Sequence, residues 1–184
     1  MARGLFSEYS RGLGRRVVGH RVHTHMADIF ISHIREEAGV ARALRLCILE
    51  EFKNKYPVFI SSDKRLLLAG ELWLERIREE LESAKIVVLL LSTKSLGRPW
   101  VNFEAGGAWL TKKALIPACF GELRKKDLPK PYSDIQAIKL PRDSYPLMCA
   151  IAKHLRIACP PEPPIRPSHH KKLANYIEKF LTRV

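Results

Sequence analysis

No stretch of this chain approaches the roughly 18–20 consecutive apolar residues that a membrane helix needs. The longest apolar run, Ile86 to Leu91, has the length of a strand. A membrane-spanning reading is excluded, and the composition, 46 % apolar and 28 % charged, is that of a soluble globular protein. Cysteine is sparse too. Cys47, Cys119, Cys149 and Cys159 lie far apart and make no Cys-x-x-Cys pair, so neither a zinc site nor a disulfide framework is expected. They read as buried free thiols in a reducing cytosol. His20, His23 and His25 cluster in a stretch with no other structure signal, and no metal site is expected there.

Acids are scarce at both ends. Of the net charge of +13, residues 1–27 carry +4, residues 28–140 carry +4 and residues 141–184 carry +5. The central part is only mildly basic, and the flanks lack the interleaved aromatics of a nucleic-acid reader. They read as solvated, with no specific nucleic-acid partner. No apolar core of seven or more residues marks a secretory signal, and a cytoplasmic location is expected. The Arg-rich start resembles in composition a mitochondrial presequence, and equally translated upstream sequence, because Met26 opens the first convincing element.

From there short apolar runs alternate with helical periods. Ala27–Ser32 is a strand. Val40, Ala43, Leu44, Cys47 and Ile48 give residues 36–54 one apolar helical face. Val58–Ile60 is a second strand, and Trp73, Ile77, Leu81 and Ala84 mark a second helix, with Trp73 continuing its core face. Ile86–Leu91 lacks polar alternation and reads as a strand buried on both sides. Pro99 suits the first turn of a helix running through Glu104 to about Lys112. Ala114–Cys119, Ile135–Leu140 and the helix Ser144–Leu155 complete the pattern.

Five βα units in about 130 residues predict an α/β fold, a flavodoxin-like three-layer sandwich around a five-stranded parallel sheet. The boundaries expected are 1–26 as a disordered basic extension and 27–157 as the domain. A Pro-rich linker, 158–168, and a basic helical segment, 169–184, follow.

Ligands of such sheets bind outside the carboxyl ends of the strands. The loops there lack a Walker A turn, a Gly-x-Gly-x-x-Gly turn, a Gly-x-Ser-x-Gly elbow and the acids of a phospho-accepting receiver. One acid stands in a suggestive place. Trp100 and Glu104 lie four residues apart, on one face of a helix just beyond a strand end. Spacing alone leaves open a core Trp beside a surface Glu.

Taken in order, the pieces resemble a Toll/interleukin-1 receptor (TIR) domain, particularly the prokaryotic NAD⁺-cleaving kind. Asp28–Ser32 resembles the opening strand, and Ser62-Asp63 with Gly70–Trp73 resembles the loop after the second strand, the BB loop. Ser83–Ser92 resembles the third strand and its lead-in, and Ser95 through Trp100 to Glu104 the family's Trp-x-x-x-Glu region. The resemblance implies that Glu104 is the catalytic acid of an NAD⁺ glycohydrolase, an immune (anti-phage) effector or signal generator.

A single carboxylate suffices for that chemistry. Ordinary glycosidases need two, one of them to protonate a poor leaving group. Nicotinamide leaves NAD⁺ as a neutral base, so one ionised carboxylate need only stabilise the ribosyl oxocarbenium ion. Water then gives ADP-ribose, and attack from within the same molecule gives a cyclic isomer. NAD⁺ is substrate, and no cofactor is expected.

By the same resemblance Trp100 offers a ring face to the dinucleotide, and Ser32 and His33 contact its nicotinamide end. Asp63 lies in a loop that closes over it. Leu66, Leu67, Leu68 and Gly70 form an apolar assembly loop for docking on a neighbouring copy, in filaments if the contact is head-to-tail. A separate sensor protein or a fused module would supply the trigger. Two departures stand out: His33 where the family often has an aromatic residue, and the apolar BB loop itself. The competing readings are a non-catalytic TIR adaptor and a nucleoside deoxyribosyltransferase.

Overall fold

The computed structural model describes residues 26–62, 72–162 and 168–182. Strands β1 (Ile29–Ser32), β2 (Val58–Ile60), β3 (Ile86–Leu91), β4 (Ala114–Cys119) and β5 (Ile138–Lys139) form one parallel sheet in the order β2-β1-β3-β4-β5. Helices α1 (Ala38–Glu51), α2 (Trp73–Ser83), α3 (Pro99–Leu110), α4 (Ser144–His154) and α5 (Ser168–Leu181) cover it. This is the expected flavodoxin-like order, with β1 at the point where strand order reverses.

The strands alternate between two apolar layers. Ile29, Ile31, Ile86, Val88, Leu90 and Ile116 pack in one core with α1, α4 and α5. Phe30, Phe59, Val87, Leu89 and Leu91 pack in the other with α2 and α3. Residues of opposite parity serve opposite faces because the side-chain period of a strand is two. β3 is therefore buried throughout, which is why it carries no polar residue.

Some boundaries shift from those read in the sequence. A 3-10 turn, Arg35–Glu37, precedes α1, and α1 closes at Glu51 through Lys53 and Asn54 in the left-handed region, before Pro57 acts. β5 keeps only two residues of the six expected.

Pro117 sits inside β4 without breaking it. The amides of Ala114 and Phe120 donate to Lys85 and Leu91, on the β3 side. Pro117, of opposite parity, turns its nitrogen outward, where β5 starts pairing only at Ala118. No ladder bond is lost.

Two expectations need correction. Cys149 and Cys159 are joined by a disulfide, leaving only Cys47 and Cys119 as buried free thiols. The chain reverses after α4 with Arg156 at positive φ and brings the two Cα atoms to 4.7 Å, a proximity that spacing in the sequence did not reveal.

The C-terminal helix, read as a separate basic segment, packs along α1 and enters the same core through Leu173 and Ile177. Its Phe180 meets Phe120 edge to face at 5.2 Å. Tyr176 lies against Gly39 of α1, where even a Cβ would stand in ordinary van der Waals contact, 3.4 Å from the ring. Among the described residues no helix is long and apolar enough to cross a membrane.

Candidate active site

At the carboxyl ends of β1 and β2 lies a cleft of about 1010 Å³. This is where the crevice of such a sheet is expected. Its walls come mainly from three segments. The turn after β1 supplies His33, Arg35 and Glu36, and the end of β2 supplies Ile60, Ser61 and Ser62. The start of α3 supplies Arg98, Pro99 and Trp100. Ile34, Arg42 of α1 and Trp73 of α2 add to the lining among the described residues.

Pro99 opens α3 as its spacing predicts. Tyr132 anchors the helix from outside, donating its hydroxyl to Asn102 at 2.5 Å. The helix turns Val101, Glu104, Ala105 and Ala108 toward the sheet. One carboxyl thus enters an otherwise apolar interface.

Glu104 is not the cleft or surface acid that the sequence suggested. It is fully buried, is absent from the cleft wall, and accepts a short hydrogen bond from the Ser32 hydroxyl at the end of β1. Burial pushes its pKa up to about 7, against the opposing pull of Ser32 and, more weakly, of the Trp100 indole. Among the described residues its Oε1 has no well-formed hydrogen bond. An orphaned carboxylate oxygen in an apolar setting favours the protonated form.

Trp100 is a wall residue and not core. It is 37 % exposed, lines the cleft and stacks on Phe103 with centroids 5.7 Å apart. Trp73 serves both purposes, packing against Phe59 while lining the cleft.

His33 is buried and held in one state. Its Nδ1 lies 3.2 Å from the Ile31 carbonyl, which only accepts, so Nδ1 carries the proton. Nε2 is then the acceptor, and Ser62 donates to it at 2.7 Å. Burial lowers the pKa to about 4, the bond to Ile31 opposes this, and the charge of Arg42 adds to it. The imidazole is neutral at physiological pH.

The structure therefore brings Ser32, His33, Trp100 and Glu104 together at one sheet end. Asp63, Leu66, Leu67, Leu68 and Gly70 lie outside the described residues. Sequence reasoning missed the arginines of the cleft. It also missed Glu37, buried beneath the turn after β1, where Ser92 donates to its carboxylate at 2.6 Å and burial raises its pKa. That bond fastens the end of β3 to the start of α1 and so fixes the floor on which Ser32 and His33 stand. Arg35 and Glu36 could have been found, for they directly follow a strand end.

A family model described as TIR domain matches residues 29–149. The chain belongs to the TIR domain family. No protein in the curated set matches its sequence. Among solved structures it is similar to a metazoan TIR-STING receptor from C. gigas, with a TM-score of 0.54 at 23 % identity over 70 % of this chain. The same receptor in complex with 2′,3′-cGAMP aligns with a TM-score of 0.52 at 22 % identity over 69 %. The chain spans about 40 % of the receptor's length. At that identity the likeness is one of fold. The TIR match stops at residue 149, although the core of this domain continues into α5.

Proposed function

We propose that this TIR domain cleaves the nicotinamide–ribose bond of NAD⁺, releasing nicotinamide and ADP-ribose or its cyclic isomer. The observation that carries the reading is Glu104: one carboxyl, bonded to Ser32, with a pKa raised to about 7 behind a cleft walled by Trp100 and His33. Perturbed carboxyls beside clefts concentrate at catalytic sites. Once ionised, Glu104 stabilises the oxocarbenium ion and holds the ribose hydroxyls, with no acid required for the departing base. His33, neutral and tied to Ser62, keeps a competing positive charge away from the cationic nicotinamide ring.

The carboxylate has no exposed surface, so substrate reaches it only when the wall at Trp100 shifts. Assembly is the proposed trigger. On the outer face of α3, Phe103, Trp109 and Leu110 are 65, 70 and 74 % exposed, an unusual apolar display that another copy would cover. An equilibrium between closed single chains and open assemblies joins association to catalysis. The reading as an immune effector rests on the TIR assignment and on this coupling.

Nicotinamide release from NAD⁺, measured over a range of protein concentrations, tests the proposal. Specific activity should rise with concentration in the wild type. It should become low and flat when Leu67 and Leu68 are replaced by Ser, or in Trp109→Glu. Activity per mole that is constant in all three, with no oligomer in light scattering, rules assembly out. Absence of nicotinamide release at every concentration leaves the adaptor reading.

Trp100→Ala should raise KM for NAD+ or alter the ratio of linear to cyclic product. A lost ring stack costs on the order of 1 kcal/mol, about fivefold in KM. Because Trp100 is a wall residue, its melting temperature should stay within about 3 °C of wild type. A variant that melts far lower with unchanged kinetics would overturn the stacking role.

A further inference from the structure

The cleft carries more positive charge than its neighbours use. Among the described residues Arg35, Arg42 and Arg98 line it, against a single acid, Glu36. Glu36 is committed to Arg98 at 3.5 Å. Among the described residues Arg35 and Arg42 have no ion pair, and no hydrogen bond holds either guanidinium. Both side chains are exposed, one on the turn after β1 and the other on α1. Arg42 stands close enough to His33 for its charge to help keep that imidazole neutral. Its guanidinium field therefore reaches the cleft floor.

Two unpaired guanidiniums share this cleft with two indoles, Trp73 and Trp100. At about 1010 Å³ it stands at the upper end of the range for small-molecule sites. The combination fits a ligand with two flat rings and a doubly charged anionic centre. Guanidinium groups bind phosphate oxygens through two parallel N–H donors, a geometry an ammonium lacks.

We propose that Arg42, assisted by Arg35, binds the diphosphate of the dinucleotide and is a specificity determinant of the site. This rests on the NAD⁺ reading of the cleft and assigns its phosphate end. Nicotinamide riboside, which has the scissile bond and no phosphate, leaves both guanidiniums unmatched. A mononucleotide matches them only in part. The diphosphate also orients the substrate, directing the nicotinamide ribose toward the wall that hides Glu104.

Binding and turnover separate this assignment from the proposed reaction. Titration calorimetry on the full chain with ADP, and with adenosine as the uncharged control, reads the phosphate contact without chemistry. ADP should bind more tightly than adenosine, and added salt should erode the difference. Arg42→Glu should weaken ADP binding by at least about tenfold, the worth of one charge-assisted contact, and leave adenosine binding unchanged. Arg42→Ala should show a smaller loss in the same direction. In turnover, Arg42→Glu should raise KM for NAD⁺ more than it lowers kcat, and should cut the preference for NAD⁺ over nicotinamide riboside by a similar factor.

If the wild type releases no nicotinamide yet binds ADP through Arg42, the diphosphate site stands and the reaction falls. If Arg42→Glu binds ADP like the wild type, or the wild type itself does not prefer ADP to adenosine, the assignment is overturned whatever the turnover. Circular dichroism of each variant guards against loss of fold, which the exposed position of Arg42 makes a minor concern.

Discussion

Glu104→Gln is expected to yield a folded chain that no longer cleaves NAD⁺ and that is more stable than wild type above pH 7. Loss of the ionisable group should lower kcat by at least about 10³, as removal of a preorganised stabiliser of transition-state charge does. The stability gain follows from burial. In the fold Glu104 holds its proton up to about pH 7, against an ordinary value of 4.5. Between those limits the folded state binds more protons than the unfolded chain, so the contribution of Glu104 falls as pH rises. The full difference is on the order of 3 kcal/mol above pH 7.

His33 acts in the opposite direction. It stays neutral in the fold down to about pH 4, while the unfolded chain takes up that proton near 6.5, so its contribution is lost as pH falls through that window. In the wild type the two slopes oppose each other between about pH 4.5 and 6.5, and the curve there should be flatter than either alone. Subtracting the Glu104→Gln curve from the wild type removes His33 and isolates the carboxyl. Thermal melts from pH 4 to 8.5 make the measurement. A variant less stable than wild type at pH 8, or one that still releases nicotinamide at near the wild-type rate, refutes the assignment. The kcat/KM of the wild type should rise with pH through about 7, because the ionised form is the active one.

Leu173→Ala should destabilise the whole domain by about 2–5 kcal/mol, lowering the melting temperature by roughly 5–15 °C. Leu173 is fully buried and belongs to the core formed by α1 and the sheet, together with Ile177. If α5 were an independent tail, the same substitution would change the melt by less than a degree. Urea unfolding followed by far-ultraviolet circular dichroism and by tryptophan fluorescence checks the point further. One coincident transition is expected, since α5 has no separate core to unfold from.

Much of this fold was legible because local signals agreed. Alternating strand and helix periods, Pro99 at a helix start and the unbroken apolar run of β3 all pointed to one parallel sheet. The position of Glu104 on α3 was legible too, but its environment was not. Burial of that residue depends on Ser32, 72 positions away, and on the apolar face of the sheet beneath it. The Cys149–Cys159 bridge depended on a chain reversal that no residue type advertised. Helix α5 was visible as an amphipathic pattern, yet its partner face on α1 read as ordinary core-facing residues, which the sheet alone would explain. The cleft arginines were hidden among the 32 basic residues of the chain, where a cation on a helix surface carries no mark of where it points.

Pro117 bears on how copies of this chain can meet. A foreign strand adding alongside the part of β4 that the two residues of β5 leave unpaired would need an unbroken row of outward amide donors, and at Pro117 that row has a gap. The opposite margin, β2, offers only three residues. Both flanks of the sheet are thereby poor templates for cross-β growth, the route by which exposed strands nucleate amyloid. The proposed assembly would therefore draw on helix surfaces such as the outer face of α3, where Phe103, Trp109 and Leu110 are exposed, and not on strand edges.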